Sequence, residues 1–319
     1  MDAEKECYAE GLTEVVDCGV KTDVINLLLT LYNDRKLSIG NSLLLSQDES
    51  TLSSFAAKGP FKQGQLQING IKLYSDGALG SRGACLLKEY SDMPGHKGML
   101  LSSYSQLDKL AALAMKYNWQ LCTHAIGDSA NRIILDMYGH HLLGKNDKRW
   151  RIEHAQVVNL SDYDKFGHYS IVPSVQPTHA ISDMPWAETR LGPHRIHEAY
   201  AYNDLLKQNG WIALGTDFPV EAISPIATFY TAVARKDNSG NPENGFQKEN
   251  ALSRKDALRG MTIWAAKSVF LEKDKGSIEP GKDADLTILD TDLLTASEKD
   301  IRTAKVLYTI VKGKVVYKK

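Results

Sequence analysis

Ile71-Lys72-Leu73-Tyr74-Ser75-Asp76-Gly77 carries an apolar run into a polar, glycine-rich turn, and the same event occurs three more times along the chain. Thr123-His124, Glu153-His154 and Thr216-Asp217 each close an apolar, strand-like stretch on a residue that can hold a metal ion or move a proton. Seven such stretches are legible, at residues 13–17, 37–45, 71–74, 119–123, 150–153, 170–175 and 211–215. Helical periodicity separates them. Leu107, Leu110, Leu113 and Ala114 share one side of a helix over 105–117, Asp23 is placed to cap one over 24–29, and 2–9, 128–138, 196–206 and 255–270 also read as helical.

Strands that alternate with helices call for a parallel sheet, because a parallel crossover needs a dozen or more residues. The polar residues that end the apolar runs then fall at the carboxyl ends of strands, where barrel sites are built. Lys72, His124, His154 and Asp217 are too far apart in sequence for any local turn to gather them, but a barrel rim gathers them directly. Neutral imidazoles suit zinc, a carboxylate can bind metal or accept a proton, and the ion brings its water toward a neutral pKa. Each residue also has a plainer reading. Lys72 fits a rim ion pair, His124 and His154 fit satisfied core imidazoles, and Asp217 fits a turn cap before Pro219. His179 fits a substrate contact or an ordinary loop residue. Arg82 is placed for a polar substrate contact, while Arg190 and Arg195 fit either an anionic substrate group or pairs with Glu188 and Glu198.

Composition excludes several classes. In 319 residues, 38 Lys and Arg stand against 39 Asp and Glu, a formal charge of -1, so no global field would gather nucleic acid or anionic lipid. The four cysteines, Cys7, Cys18, Cys85 and Cys122, have no paired spacing, which favours a reducing compartment and a cytoplasmic expectation. No segment approaches the about 20 apolar residues of a membrane span. The glycines after Asp76 match neither the dinucleotide spacing nor a phosphate-binding loop, and Gly80-Ser81-Arg82-Gly83 lacks the frame of a serine elbow.

Taken together, the segment Ile71 to Ala84, His124-Ala125-Ile126-Gly127-Asp128, Arg151-Ile152-Glu153-His154-Ala155-Gln156, Gln176-Pro177-Thr178-His179, Trp186 to Gly192 and Gly215-Thr216-Asp217-Phe218-Pro219-Val220 resemble the amidohydrolase superfamily. Within it they resemble amidohydrolase family 3, the YtcJ-like group that includes N-substituted formamide deformylases. The stretch Gly276 to Leu286 resembles the return from barrel to β-sandwich. The resemblance implies an α/β fold: a TIM-like (β/α) barrel over residues 1–270 holding strands two to eight and lacking its first strand, then a C-terminal fragment of the amidohydrolase β-sandwich over 271–319. It implies that Lys72 is the strand-four lysine often carried as a carbamate, that His124 and His154 are metal ligands after strands five and six, and that Asp217 binds metal and shuttles the catalytic proton. The implied cofactor is a divalent metal, expected to be zinc. The implied substrate is a small amide, with no nucleic acid or membrane partner.

One element of the family pattern is missing. Its first barrel strand ends in His-x-His, whereas the first histidine here is His96. The expectation is therefore a chain truncated at its start, with two open sheet edges, needing a complementing N-terminal segment or a second copy. The competing expectation is a catalytically inactive or partner-completed scaffold.

Overall fold

The computed structural model describes residues 1–319. Strands β1 (Glu14–Val20), β2 (Gly40–Leu45), β4 (Leu66–Tyr74), β5 (Gln120–Ala125), β6 (Arg151–His154), β7 (Val172–Val175) and β8 (Ala213–Leu214) pair in that order, every neighbour parallel. The expected seven strands are all present. An eighth, β3 (Phe61–Gln63), adds antiparallel to the start of β4. No pairing joins β1 to β8, so the parallel sheet is curled and open.

Alternation along the strands sorts the side chains. Leu43, Leu45, Ile71, Leu73, Leu121 and Ile152 face the helices and form one continuous apolar core with them. Lys72, one residue out of phase with Ile71 and Leu73, is buried but belongs to the opposite face. Helix Tyr104–Tyr117 packs on this core through Leu107, Ala111 and Ala114. It opens on a reciprocal cap between Ser103 and Gln106 and closes on left-handed Asn118. Such a cap contributes about 1 kcal/mol. Trp119 and Trp150 seal the amino end of the sheet. The first donates its indole N–H to the Ala56 carbonyl at 2.8 Å and the second to the Trp119 carbonyl at 3.2 Å, so neither is buried with an unpaired donor.

Several expectations are corrected. Helix Thr22–Asn33 starts after Lys21 with no side-chain cap, so Asp23 lies inside the first turn. Residues 177–195 form a helix, Pro177–Arg195, kinked at Gly192, where φ is 78°. The helix expected over 196–206 is instead one 3₁₀ turn, Ile196–Glu198, followed by Tyr202–Asn209. Trp211 precedes β8 rather than starting it.

Beyond the parallel sheet, β9 (Leu286–Leu289), β10 (Val306–Val311) and β11 (Lys314–Lys318) form an antiparallel sheet in the order β11-β10-β9. The first helix, Asp2–Ala9, packs against it, with Tyr8, Ile39 and Val311 in a small apolar cluster. Thr309 donates its hydroxyl to the Tyr8 carbonyl, and Thr287 to that of Gly11, each at 2.6 Å. Lys275 ties the two sheets together through Glu14 at 2.8 Å and Asp285 at 3.0 Å. Gly40 makes room for this pair, because a Cβ there would stand 1.6 Å from the Glu14 carboxylate. No helix is long and apolar enough to cross a membrane.

Candidate metal centre

Register places the candidate residues level with one another. Tyr74 pairs with His124 and Ala125 with His154, so β4, β5 and β6 end side by side at one rim. Lys72 lies one turn of the pleat below Tyr74, with its ammonium 5.2 Å from that ring. His124 and His154 meet edge to face with ring centroids 4.7 Å apart. His154 ends β6 with φ at 76°, and Asp217, in the loop after β8, has φ of 57°. Both are left-handed non-glycine residues, a conformation that clusters at functional sites.

His179 joins them from the first turn of helix Pro177–Arg195. Its ring stacks on His154 with centroids 5.7 Å apart, and its Nε2 is 3.4 Å from Asp217 Oδ2. One donor atom from each of His154, His179 and Asp217 falls within 4.8 Å of the others. Gln176 accepts at 2.7 Å from His154 Nδ1, which leaves Nε2 as that ring's open lone pair. The Nε2 atoms of His124 and His179 are buried without any hydrogen-bond partner. Burial, and then the positive charge of Lys72, push the His124 imidazole down to about 4 and hold His154 well below its ordinary value. Neutral rings with unused nitrogens are what a divalent ion needs. The donor set of imidazoles and a carboxylate therefore fits the metal that this arrangement implies.

Asp76 is the hinge of the rim. It accepts backbone N–H groups from Ile126 at 3.0 Å and from Gly127 and Cys85 at 2.8 Å, fastening the glycine loop onto the end of β5. Gly127 permits that approach, since a Cβ there would lie 2.0 Å from the Cys85 carbonyl oxygen. His124 Nε2 stands 3.6 Å from Asp76 Oδ1, too far for a hydrogen bond. Ser75 donates to the His124 carbonyl at 2.5 Å, so both residues of the Ser-Asp pair position the rim.

The three arginines have their donors engaged. Arg82 grips Asp92 with two bonds, at 3.1 and 2.9 Å, and Arg190 pairs with the same carboxylate while donating to Gly80. Arg195 donates to the carbonyls of Leu191, Lys88 and Glu89. The pairings expected with Glu188 and Glu198 do not form; Asp92 and main-chain oxygens take their place. Sequence reasoning also missed Gln176, and the buried pair of Arg151 and Glu153, 2.8 Å apart beneath the rim. Burial alone would raise the Glu153 carboxyl, yet Arg151 and then Lys72 bring it below its usual range. The signal was present: Arg151 and Glu153 are two residues apart on a strand, hence on one face.

Comparison with known proteins gives this geometry its context. The pattern of the amidohydrolase family matches residues 25–317. Protein LONG AFTER FAR-RED 3 of Arabidopsis thaliana is 36% identical over 330 residues, 99% of this chain and 56% of that protein. The N-substituted formamide deformylase of Arthrobacter pascens is 29% identical over 229 residues, 70% of this chain and 41% of that protein. A crystal structure of an uncharacterized metal-dependent hydrolase from Pyrococcus horikoshii superposes with a TM-score of 0.84 at 32% identity, covering 93% of this chain and 59% of that one. The chain thus spans about half the length of the relatives it matches. With the family pattern running through nearly all of the parallel sheet and the C-terminal strands alike, this chain belongs to the amidohydrolase family.

Proposed function

We propose that the rim cluster belongs to a zinc-dependent hydrolase that cleaves the C–N bond of a small amide or N-substituted formamide in the cytoplasm. The observation that carries the proposal is the convergence of His154 from the end of β6, His179 from the first turn of the helix after β7 and Asp217 from the loop after β8, beside buried Lys72 and half-buried His124. Bound there, a divalent ion would supply a water of near-neutral pKa and polarise the substrate carbonyl. The chain's own residues do the rest. Asp217, a third exposed and facing the opening, takes the proton from the attacking water and returns it to the departing nitrogen. Gln176 keeps the His154 ring turned to the centre. Phe218 and Val220, both exposed beside Asp217, offer an apolar wall for the nitrogen substituent. As a carbamate, Lys72 would add an anionic oxygen to the same space, which mass measurement of gently prepared protein tests.

The formamide class rests on the likeness to the Arthrobacter pascens deformylase. Turnover of a panel of N-substituted formamides and simple amides by zinc-loaded protein, abolished in Asp217→Asn, is the expected result. Full activity in Asp217→Asn rejects the proton assignment. A second reading, a scaffold completed by another segment or a second copy, draws support from β1 and β8, each of which pairs on one side only. Zinc binding without turnover by the chain alone, and turnover once a partner is added, would favour it.

A further inference from the structure

We propose that the amino end of the parallel sheet carries a second binding site, which takes a planar ring with N–H donors and an anionic arm, the chemistry of a nucleoside monophosphate. A cavity of about 550 Å³ opens there, within the range of small-molecule sites. Its walls include Phe61 of β3, Trp119 just before β5, and Phe270. Gln120, which also lines it, lies four residues before His124 on β5, about 13 Å along the strand at 3.3 Å per residue, so this cavity is not the rim. Phe270 has φ of 64°, a conformation that a bulky residue adopts only at a cost. The residue is 42% exposed even though Arg149 lies over its ring at 4.4 Å. An aromatic ring held out in this way is a platform on which another ring stacks.

Two observations set the polarity of the ligand. Asn69 and Gln120 line the cavity, are each more than nine-tenths buried, and leave their side-chain oxygens without a partner. Their amide nitrogens are already in use: Asn69 donates to the Val269 carbonyl at 3.4 Å, and Gln120 to those of Arg149 and Ser268 at 2.6 and 2.7 Å. What the two oxygens lack is a donor, which a ring N–H or amino group supplies. Beside this cavity, and sharing Asn146 and Asp147 with it, is a pocket of about 210 Å³ lined by Lys145, Arg149 and Lys267. Arg149 is neutralised by Asp147 and Glu272. Lys145 and Lys267 pair with no carboxylate, and Lys148, on the wall of the larger cavity, has only the Asn118 amide oxygen at 2.7 Å. Three ammonium groups without a counterion, next to a carboxylate that Arg149 already holds, favour an anion. The ring then lies among the aromatic walls with its N–H edge inward, and the phosphate meets the lysines.

The test is a calorimetric titration of chelator-treated protein at about 0.15 M salt, where loose surface attraction is screened. Adenosine monophosphate is the probe, with adenosine and inorganic phosphate titrated beside it. The monophosphate is expected to bind once per chain, about tenfold or more tighter than either fragment. Phe270→Ala is expected to weaken it by about fivefold or more, the low end of what stacking on an aromatic ring contributes. The double variant Lys145→Glu, Lys148→Glu is expected to weaken it by about tenfold or more, through repulsion of the phosphate. Asp217→Asn, changed at the rim, is expected to bind as the wild type does. Circular dichroism and a melting curve on each variant separate loss of the site from loss of the fold, and the exposed lysine positions keep the test usable where Phe270→Ala does not fold. No binding of the monophosphate overturns the proposal, as does adenosine or phosphate binding equally tightly. Wild-type affinity in either folded variant of the cavity, or loss of binding in Asp217→Asn, overturns it too.

Discussion

Replacing Asp76 tests whether the rim is built as described. Its carboxylate is almost wholly buried and is the sole hydrogen-bond acceptor for the N–H groups of Cys85, Ile126 and Gly127. In Asp76→Ala all three donors lose their partner. At about 1–3 kcal/mol for each unsatisfied buried group, the total is roughly 3–9 kcal/mol, comparable with the entire stability of a typical domain. Asp76→Asn is the more informative change. Its single oxygen can face the Cys85 and Gly127 donors, which share Oδ2, and its NH₂ must then point at the Ile126 N–H. One orphaned donor and the loss of charge assistance to the other two should cost about 2–4 kcal/mol. The assay is urea unfolding of the two variants beside wild type, with amide exchange followed at residues 85, 126 and 127. The expected order of stability is wild type, then asparagine, then alanine, with accelerated exchange confined in Asp76→Asn to the loop and the end of β5. An asparagine variant within 0.5 kcal/mol of wild type would refute the claim that this carboxylate fastens the rim; that threshold is about the size of an ordinary surface effect.

Three further outcomes follow from the same geometry. Because His124 is depressed to about 4 from an ordinary 6.5, the folded apo protein binds fewer protons than the unfolded chain between those values. Its stabilising share is therefore complete above pH 6.5 and is lost as pH falls toward 4, up to about 3 kcal/mol, and His124→Asn should flatten the measured stability across that window. Gly40→Ala should lower the melting temperature sharply, since its methyl group would displace the Glu14 carboxylate from Lys275, and breaking a buried pair costs about 3–5 kcal/mol; an unchanged melt would show that Glu14 simply moves aside. Ala155, buried and left-handed at φ 42°, should accept Gly with less than about 1 kcal/mol of change, whereas Val, branched at Cβ, should cost more than 2; equal effects in denaturant titrations would contradict the backbone assignment.

What the sequence disclosed depended on how local its signal was. The strands carrying Lys72, His124 and His154 could be read because apolar alternation ends abruptly on a polar residue, and a parallel sheet then aligns those ends. Helix Pro177–Arg195 could not, because Pro185, Gly192 and Pro193 look like breakers. It survives as a kinked element because Ala180, Ile181, Ala187 and Leu191 are buried along its length, so tertiary burial outweighs local preference. His179 was consequently read as a loop residue, open to either role, when it sits in the first turn of that helix. Arg190 and Arg195 were matched with carboxylates close in sequence, whereas Arg190 pairs with Asp92, far from it along the chain, which also holds Arg82. Asp76 was seen to belong to the loop, but its partners are main-chain N–H groups that carry no residue signature.

The positions of His154 and Asp217 show why such a centre forms at strand ends. Inside a ladder, each residue's φ is set by pairing, and its side chain must point to one face or the other. His154 is the last residue of β6, and Asp217 lies beyond β8, so both are free to turn left-handed, and each swings its donor across the rim instead of straight into the interior. The turn costs about 1–2 kcal/mol for a residue with a Cβ, which a surface loop would relax. Here the flanking chain does not relax: Gln176 holds the His154 ring from behind, and the Val157 N–H bonds to the Ile126 carbonyl just past Ala155. The left-handed turn at His154 is thus held by its neighbours, and the result is a cluster in which one donor atom from each of His154, His179 and Asp217 lies within 4.8 Å of the others.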